Sequence, residues 1–226
     1  MNRRSSELEI LDNPDMPPEE LLASLNFMRQ VNQMLGGMRA VIDTFARWDL
    51  PSEFTVLDIG CGGGDIAFGL ARWAASRGKH AKITAIDLNP LCLAYAEQNF
   101  SSPDIRHLQH SAFELESLGS FDYIISSMFF HHLKDDEIVA LLSNIKKQAK
   151  RGFLVNDLYR GYLNYAGAWL LGVFSGRPVV FNDAKLSVAR AFRQKDFEQY
   201  REQAQIPDAR IECKPVFRIL LSHGHD

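Results

Sequence analysis

What the chain has little of narrows the reading first. Its three cysteines, Cys61, Cys92 and Cys213, are odd in number, far apart and contain no C-x-x-C pair. That excludes a disulfide framework and a thiolate metal site, and it fits a reducing cytoplasm. Excess positive charge is also missing. Lys+Arg 25 against Asp+Glu 28 leaves a net charge of -3, whereas tracking phosphates needs a basic surface, so nucleic acid is not expected as a partner. Long apolar runs are absent as well. The most apolar stretch, Tyr162 to Phe174, contains Asn164 and is closed by Ser175, Gly176 and Arg177, well short of the roughly 18 apolar residues that begin to suggest a span. Met1 to Met16 is polar and has no apolar core for a signal peptide. No repeat or low-complexity tract occurs.

The remainder is ordinary globular composition, 46% hydrophobic and 23% charged over 226 residues, enough for one large domain or a core with an added cap. Pro17 and Pro18 open a helical pattern on Leu21, Leu22, Leu25, Met28 and Val31. Gly36 and Gly37 interrupt it before a second helical piece, Met38 to Trp48. This reads as an N-terminal helical cap over residues 1–50. From residue 51 onward, short apolar runs (Phe54 to Ile59, Ile83 to Asp87, Ile105 to Leu108, Phe121 to Ser126, Phe153 to Asn156) alternate with helical patterns. Alternation of this kind predicts β-α-β units and a mostly parallel sheet with helices on both faces. A helical insertion is expected over about 158–205, including Lys195 to Gln203. Two close runs, Arg210 to Cys213 and Val216 to Leu221, predict an antiparallel edge. The expected fold is therefore α/β, a Rossmann-like seven-stranded sheet.

The informative segment is Val56-Leu57-Asp58-Ile59-Gly60-Cys61-Gly62-Gly63-Gly64-Asp65-Ile66, a strand entering a glycine turn and then a helix. Glycine permits close backbone approach and positive φ, and the helix start offers free amides. A dinucleotide fingerprint would need a glycine where Asp65 stands, and a carboxylate there repels a pyrophosphate. The Gly-Lys-Ser/Thr ending of a phosphate loop is absent too.

Asp58, Gly60, Gly62 and Gly64 instead spell D-x-G-x-G-x-G, which resembles the first motif of class I S-adenosylmethionine-dependent methyltransferases. The resemblance continues with an acidic residue ending the second strand, in Ala85-Ile86-Asp87-Leu88-Asn89. Phe121-Asp122-Tyr123-Ile124-Ile125 leading to His131-His132-Leu133 then looks like the F-D-x-I/V…H-H-L segment of small-molecule members. Less specifically, Asn156 to Arg160 and Ser187 to Phe192 look like segments of bacterial ubiquinone-pathway and polyketide-tailoring methyltransferases. The resemblance implies S-adenosyl-L-methionine as cofactor, with contacts at Asp58, Gly60, Cys61, Gly62, Asp87, Leu88, Ser111, Ala112, Phe113 and Ser127. It puts Asp87 on the ribose hydroxyls, and Ser111 where related enzymes often carry an acid for the adenine amine.

His131, His132 and Asp157 are the candidate catalytic residues, since an imidazole takes a proton from a phenol or enol near neutral pH. The residues alone do not separate the two histidines. Asn156 and Asp157 would need a further acidic ligand after the fourth strand to hold a hard cation; Ser126 and Ser127 stand there, so no metal is expected. His223 and His225 are too few to argue for one. The Asn32 to Gly37 turn, the Tyr162-Tyr165-Trp169 face and Ser187 to Arg193 are expected to close over the site. Arg160, Arg190 and Arg193 are either contacts for an acidic substrate group or surface ion pairs. The expected reaction is O-methylation of a small aromatic or hydrophobic molecule. C-methylation of a ring and a non-catalytic cofactor-binding subunit are the alternatives, and homodimer formation is left open.

Overall fold

The computed structural model describes residues 1, 3–13, 15–215 and 217–224. Seven strands make one sheet: β1 (Glu53–Ile59), β2 (His80–Asp87), β3 (Ile105–Gln109), β4 (Phe121–Ser127), β5 (Ala149–Leu158), β6 (Arg210–Lys214) and β7 (Arg218–His223). Their order is β3-β2-β1-β4-β5-β7-β6. The first five pair in parallel, and β7 runs antiparallel between β5 and β6. The expected sheet is present, with its antiparallel edge; Val216 and His225 lie outside the described residues.

Successive side chains on a strand face opposite sides, and the two cores follow that alternation. Leu57, Ile59, Ile124, Phe153, Val155, Ile219 and Leu221 face one layer. Val56, Tyr123, Ile125, Leu154 and Leu220 face the other. α5 (Asp135–Gln148) and α8 (Gln194–Gln203) cover the first through Ile138, Leu142, Phe197 and Tyr200. α2 (Gly37–Phe45) and α3 (Asp65–Ser76) cover the second through Val41, Phe45, Ile66 and Leu70. Each fully buried side chain of this size stabilises by about 1.5–3 kcal/mol. Helix α2 ends earlier than the apolar pattern suggests, and Trp48 beyond it stacks on Tyr123 with centroids 5.2 Å apart.

Local chemistry sets the helix ends. Asn89 caps α4 (Pro90–Phe100) by accepting from the Leu91 amide at 2.9 Å, with Pro90 in the first turn. Asp135, Asp136 and Glu137 open α5 while Lys146 and Lys147 close it, matching the helix dipole. Gly36 takes φ +75° between α1 (Pro18–Met34) and α2, and a Cβ on Gly37 would lie 2.6 Å from Asn32 Oδ1. Gly176, at φ +66°, stops α6 (Tyr162–Ser175). α7 (Pro178–Arg190) follows it, a helix the apolar pattern does not announce because its buried face includes Asp183, Ser187 and Arg190.

The strand order reverses between β1 and β4, which opens a crevice beyond their carboxyl ends. α1, α6, α7 and the irregular stretch around residues 3–13 lie over that crevice and make a roof.

Candidate active site

A cavity of about 320 Å³ fills the space between this roof and the sheet. Its floor is the glycine loop Gly60–Gly63 with Asp87, Ser127, Met128 and Phe129. Leu21, Leu25, Met28, Leu171, Val180 and Val188 give it a mainly apolar wall. His131, His132, Glu9 and Asp12 form a polar corner.

The glycine loop folds as its sequence requires. Gly60, Gly62 and Gly64 take φ of +66°, +51° and +79°, a region costly for residues with a Cβ. A Cβ on Gly60 would sit 2.4 Å from the Phe129 ring, while on Gly62 its nearest neighbour would be Leu25 at 3.9 Å, on the cavity side. Asp87 holds the loop: its two oxygens accept from the Gly62 and Asn89 amides, each at 2.9 Å. Met128 leaves β4 with φ +59°, a strained conformation of the kind that clusters at functional sites. Its amide is tied to the Asn156 carbonyl at 2.9 Å.

Asp58, Asp65 and Asp87 converge beneath this loop. Burial, aided by the charges of Asp65 and Asp87, pushes Asp58 up to about 8. Burial also raises Asp65 and Asp87 above the ordinary carboxylate range. Asp58 Oδ2 is buried without a hydrogen-bond partner. Such a pit resists anions and is completed by a cation with hydrogen-bond donors. A ligand that brings an ammonium and a sulfonium to the glycine loop fits these residues; a pyrophosphate does not.

Beside the loop, His131 is 1% exposed and its Nδ1 lies 2.7 Å from Asp157 Oδ1. Asp157 Oδ2 accepts from the His131 amide at 3.2 Å, and Oδ1 from the Leu158 amide at 2.7 Å. Burial opposes the charge of Asp157, yet His131 and these bonds hold it below the ordinary carboxylate value. His131 Nε2 faces Glu9 Oε1 at 3.6 Å. His132 is less buried and pairs through Nδ1 with Asp12 Oδ1 at 2.7 Å. Two arginines fix this turn. Arg190 donates to the carbonyls of His131 at 2.9 Å and His132 at 2.6 Å, and Arg4 donates to those of His131 at 3.2 Å and Leu133 at 2.9 Å.

Of the residues singled out in the sequence, Gly60, Cys61, Gly62, Asp87, Ser127, His131 and His132 line the cavity. Asp58 sits under it, fully buried. Asp157 stands behind His131, so its direct contact is with the imidazole and not with the cavity. Leu88 and Phe113 are exposed, Ser111 accepts from the Phe113 amide at 3.2 Å, and Ala112 packs into the core. These four lie along the open edge past β2 and β3, outside the enclosed volume. Tyr162, Tyr165 and Trp169 point outward, and it is Asn164, Ala168 and Leu171 on the opposite face of α6 that reach the cavity. Arg160 and Arg190 are not surface pairs: they are 1% and 4% exposed, with Asp196 at 2.9 Å from Arg160 and Asp12 at 3.4 Å from Arg190. Glu9 escaped the sequence reading. It is 4% exposed, on an irregular segment without periodicity, and burial pushes it up to about 7.

Residues 56–152 match the family model described as "Methyltransferase domain". Over that stretch the chain is similar to S-adenosylmethionine-dependent methyltransferase domains. YqeM of Bacillus subtilis, a protein named as a methyltransferase, is 29% identical over 131 residues, covering 54% of this chain and 51% of that one. The chain thus spans about half or less of the length of the curated relatives it matches. Among solved structures, the magnesium protoporphyrin IX methyltransferase of Synechocystis PCC 6803 with bound SAH superposes with TM-score 0.56 at 17% identity, over 86% of this chain and 83% of that one. The mitomycin 7-O-methyltransferase MmcR superposes with TM-score 0.58 at 20% identity, over 86% and 54%. These likenesses establish the fold. In that fold the chain places its glycine loop and Asp87 at the switch between β1 and β4. Among the described residues no helix is long and apolar enough to cross a membrane.

Proposed function

We propose that the protein transfers the methyl group of S-adenosylmethionine to an oxygen of a small, hydrophobic, ring-bearing molecule. When bound, the cofactor supplies an activated methyl on a sulfonium, and the chain's own residues do the rest. The glycine loop and Asp87 hold the methionyl and ribosyl parts, and Asp58 answers the ammonium directly or through water. The apolar wall of α1, α6 and α7 takes the ring and keeps water away. Arg4 and Arg190 fix the backbone of the histidine turn, so that a hydroxyl seated on the wall meets His131 in one orientation.

The observation that carries this reading is the His131–Asp157 pair. The carboxylate occupies one ring nitrogen at 2.7 Å and leaves the other on the cavity side. An imidazole held in this way has a fixed tautomer and an available lone pair, the arrangement that accepts a proton from an attacking hydroxyl. Calorimetry with SAH followed by methyl-transfer assays on a phenol and enol panel tests it. Product analysis should find the new methyl on oxygen. A product methylated on ring carbon would overturn the oxygen assignment, and SAH binding with no turnover on any acceptor would favour a cofactor-binding subunit.

A further inference from the structure

We infer that Glu9, His131 and His132 form a binding site for one divalent first-row transition ion, for which Zn²⁺ is a suitable probe. One ligand atom from each of the three lies within 4.8 Å of the other two. None of these contacts is already a hydrogen bond between them: Glu9 Oε1 is buried with no partner, and His131 Nε2 stands 3.6 Å away from it. All three side chains line the cavity. Two imidazoles and one carboxylate that converge at a shared wall, with the carboxylate oxygen unpartnered, are the ligand set that divalent transition ions prefer.

The surroundings strengthen the case. Each histidine gives its Nδ1 to a carboxylate at 2.7 Å, Asp157 for His131 and Asp12 for His132. Metal-bound histidines are held in this way, because the carboxylate fixes the ring and raises its basicity. With bonds of about 2.0–2.1 Å, tetrahedral ligand atoms lie roughly 3.3 Å apart, so the cluster needs to draw in by under roughly 1.5 Å. Glu9 belongs to the irregular N-terminal stretch, which can supply that movement more readily than the sheet. Three protein ligands leave a further position open toward the cavity, suited to an oxygen of the acceptor. That consequence rests on the methyl-transfer reading: with the ion in place, His131 Nε2 would be a ligand and no longer the proton acceptor, and ionisation of the acceptor hydroxyl would be favoured by the cation, its proton leaving to solvent. The ion site itself rests on the residues alone.

The test uses the full chain, stripped with a chelator and titrated with Zn²⁺ alone by calorimetry. One ion per chain is expected, with affinity at least 10-fold weaker in Glu9→Ala and in His132→Ala, and about 10-fold weaker in Asp12→Asn. His80→Ala, which removes an imidazole paired to Asp104 at the far end of β2, should change nothing. SAH binding by each variant reports whether it is folded. If a variant fails that check, ring-nitrogen NMR signals of the unaltered protein decide instead, since Zn²⁺ must shift those of His131 and His132. Absence of binding, binding undiminished in Glu9→Ala and His132→Ala, or unmoved histidine signals would overturn the inference. A protein that binds Zn²⁺ but not SAH would keep the ion site and remove the methyl-transfer reading.

Discussion

His131 and Asp157 meet at 2.7 Å with side chains 2% and 0% exposed, on elements 26 residues apart in the chain. The carboxylate spends both oxygens on this turn, so it acts through the imidazole. Replacing Asp157 by Asn keeps the volume but allows the wrong tautomer. Turnover should fall by roughly 10²-fold or more while SAH affinity stays within about 2-fold. His131→Ala should lose a similar factor. Steady-state rates beside calorimetry check both; unchanged turnover in either would return the pair to a structural role.

Asp87 supports two amides and faces the cavity. Asp87→Ala should weaken SAH binding by about 1–3 kcal/mol, the range for stranding buried polar partners. It should also lower the melting temperature, because the Gly62 and Asn89 amides lose their acceptor. Affinity equal to that of the unaltered protein would remove Asp87 from the cofactor contacts.

Asp58 gives a pH dependence with a definite sign. Its pKa in the free fold is about 8 against an ordinary value of 3.8, so the native state holds a proton that the unfolded chain releases between these values. Stability of the free protein should therefore fall as pH rises from about 4 to about 8, with this group contributing no further change above that. A cationic ligand beside Asp58 favours its charged form and expels the proton. Cofactor binding at pH 7 should release protons, measurable as a heat that varies with buffer ionisation enthalpy. Uptake of protons, or no exchange, would contradict the placement.

Gly60 and Gly78 separate two costs of adding a Cβ. Both have positive φ, +66° and +67°, but only Gly60 has a ring in the way, Phe129 at 2.4 Å. Gly78→Ala should cost about 1–2 kcal/mol from backbone strain alone. Gly60→Ala should cost more and also displace Phe129, weakening SAH binding. Denaturant titrations of the two variants make the comparison; equal costs would show that Phe129 yields freely.

The strands along the chain, the glycine turn and the acidic end of β2 were legible because each rests on local patterning or on residue types with narrow uses. Positive φ at residues 60, 62 and 64 needs glycine, and a carboxylate one strand away ties the loop down. The two histidines were visible as a pair, but their difference was not, since it is made by Asp157 from β5 and Asp12 from the N-terminal stretch. Glu9 lies 122 positions before His131 in a segment with no period to read. α6 misled in another way. It is apolar on nearly every side, so composition could not say that Ala168 and Leu171 face inward while Trp169 and Phe174 face out. α7 was hidden because its inner face is polar.

The guanidinium of Arg190 grips the Glu7 carbonyl at 2.6 Å as well as the two histidine carbonyls. Glu9 and Asp12 leave the ribosome well before Arg190 does. That wall of the cavity must therefore wait for α7 before it can lock. During synthesis β1, β2 and the glycine turn can form first, yet the cavity stays without this wall until α7 emerges and fastens the segment around Glu7 and Glu9 down.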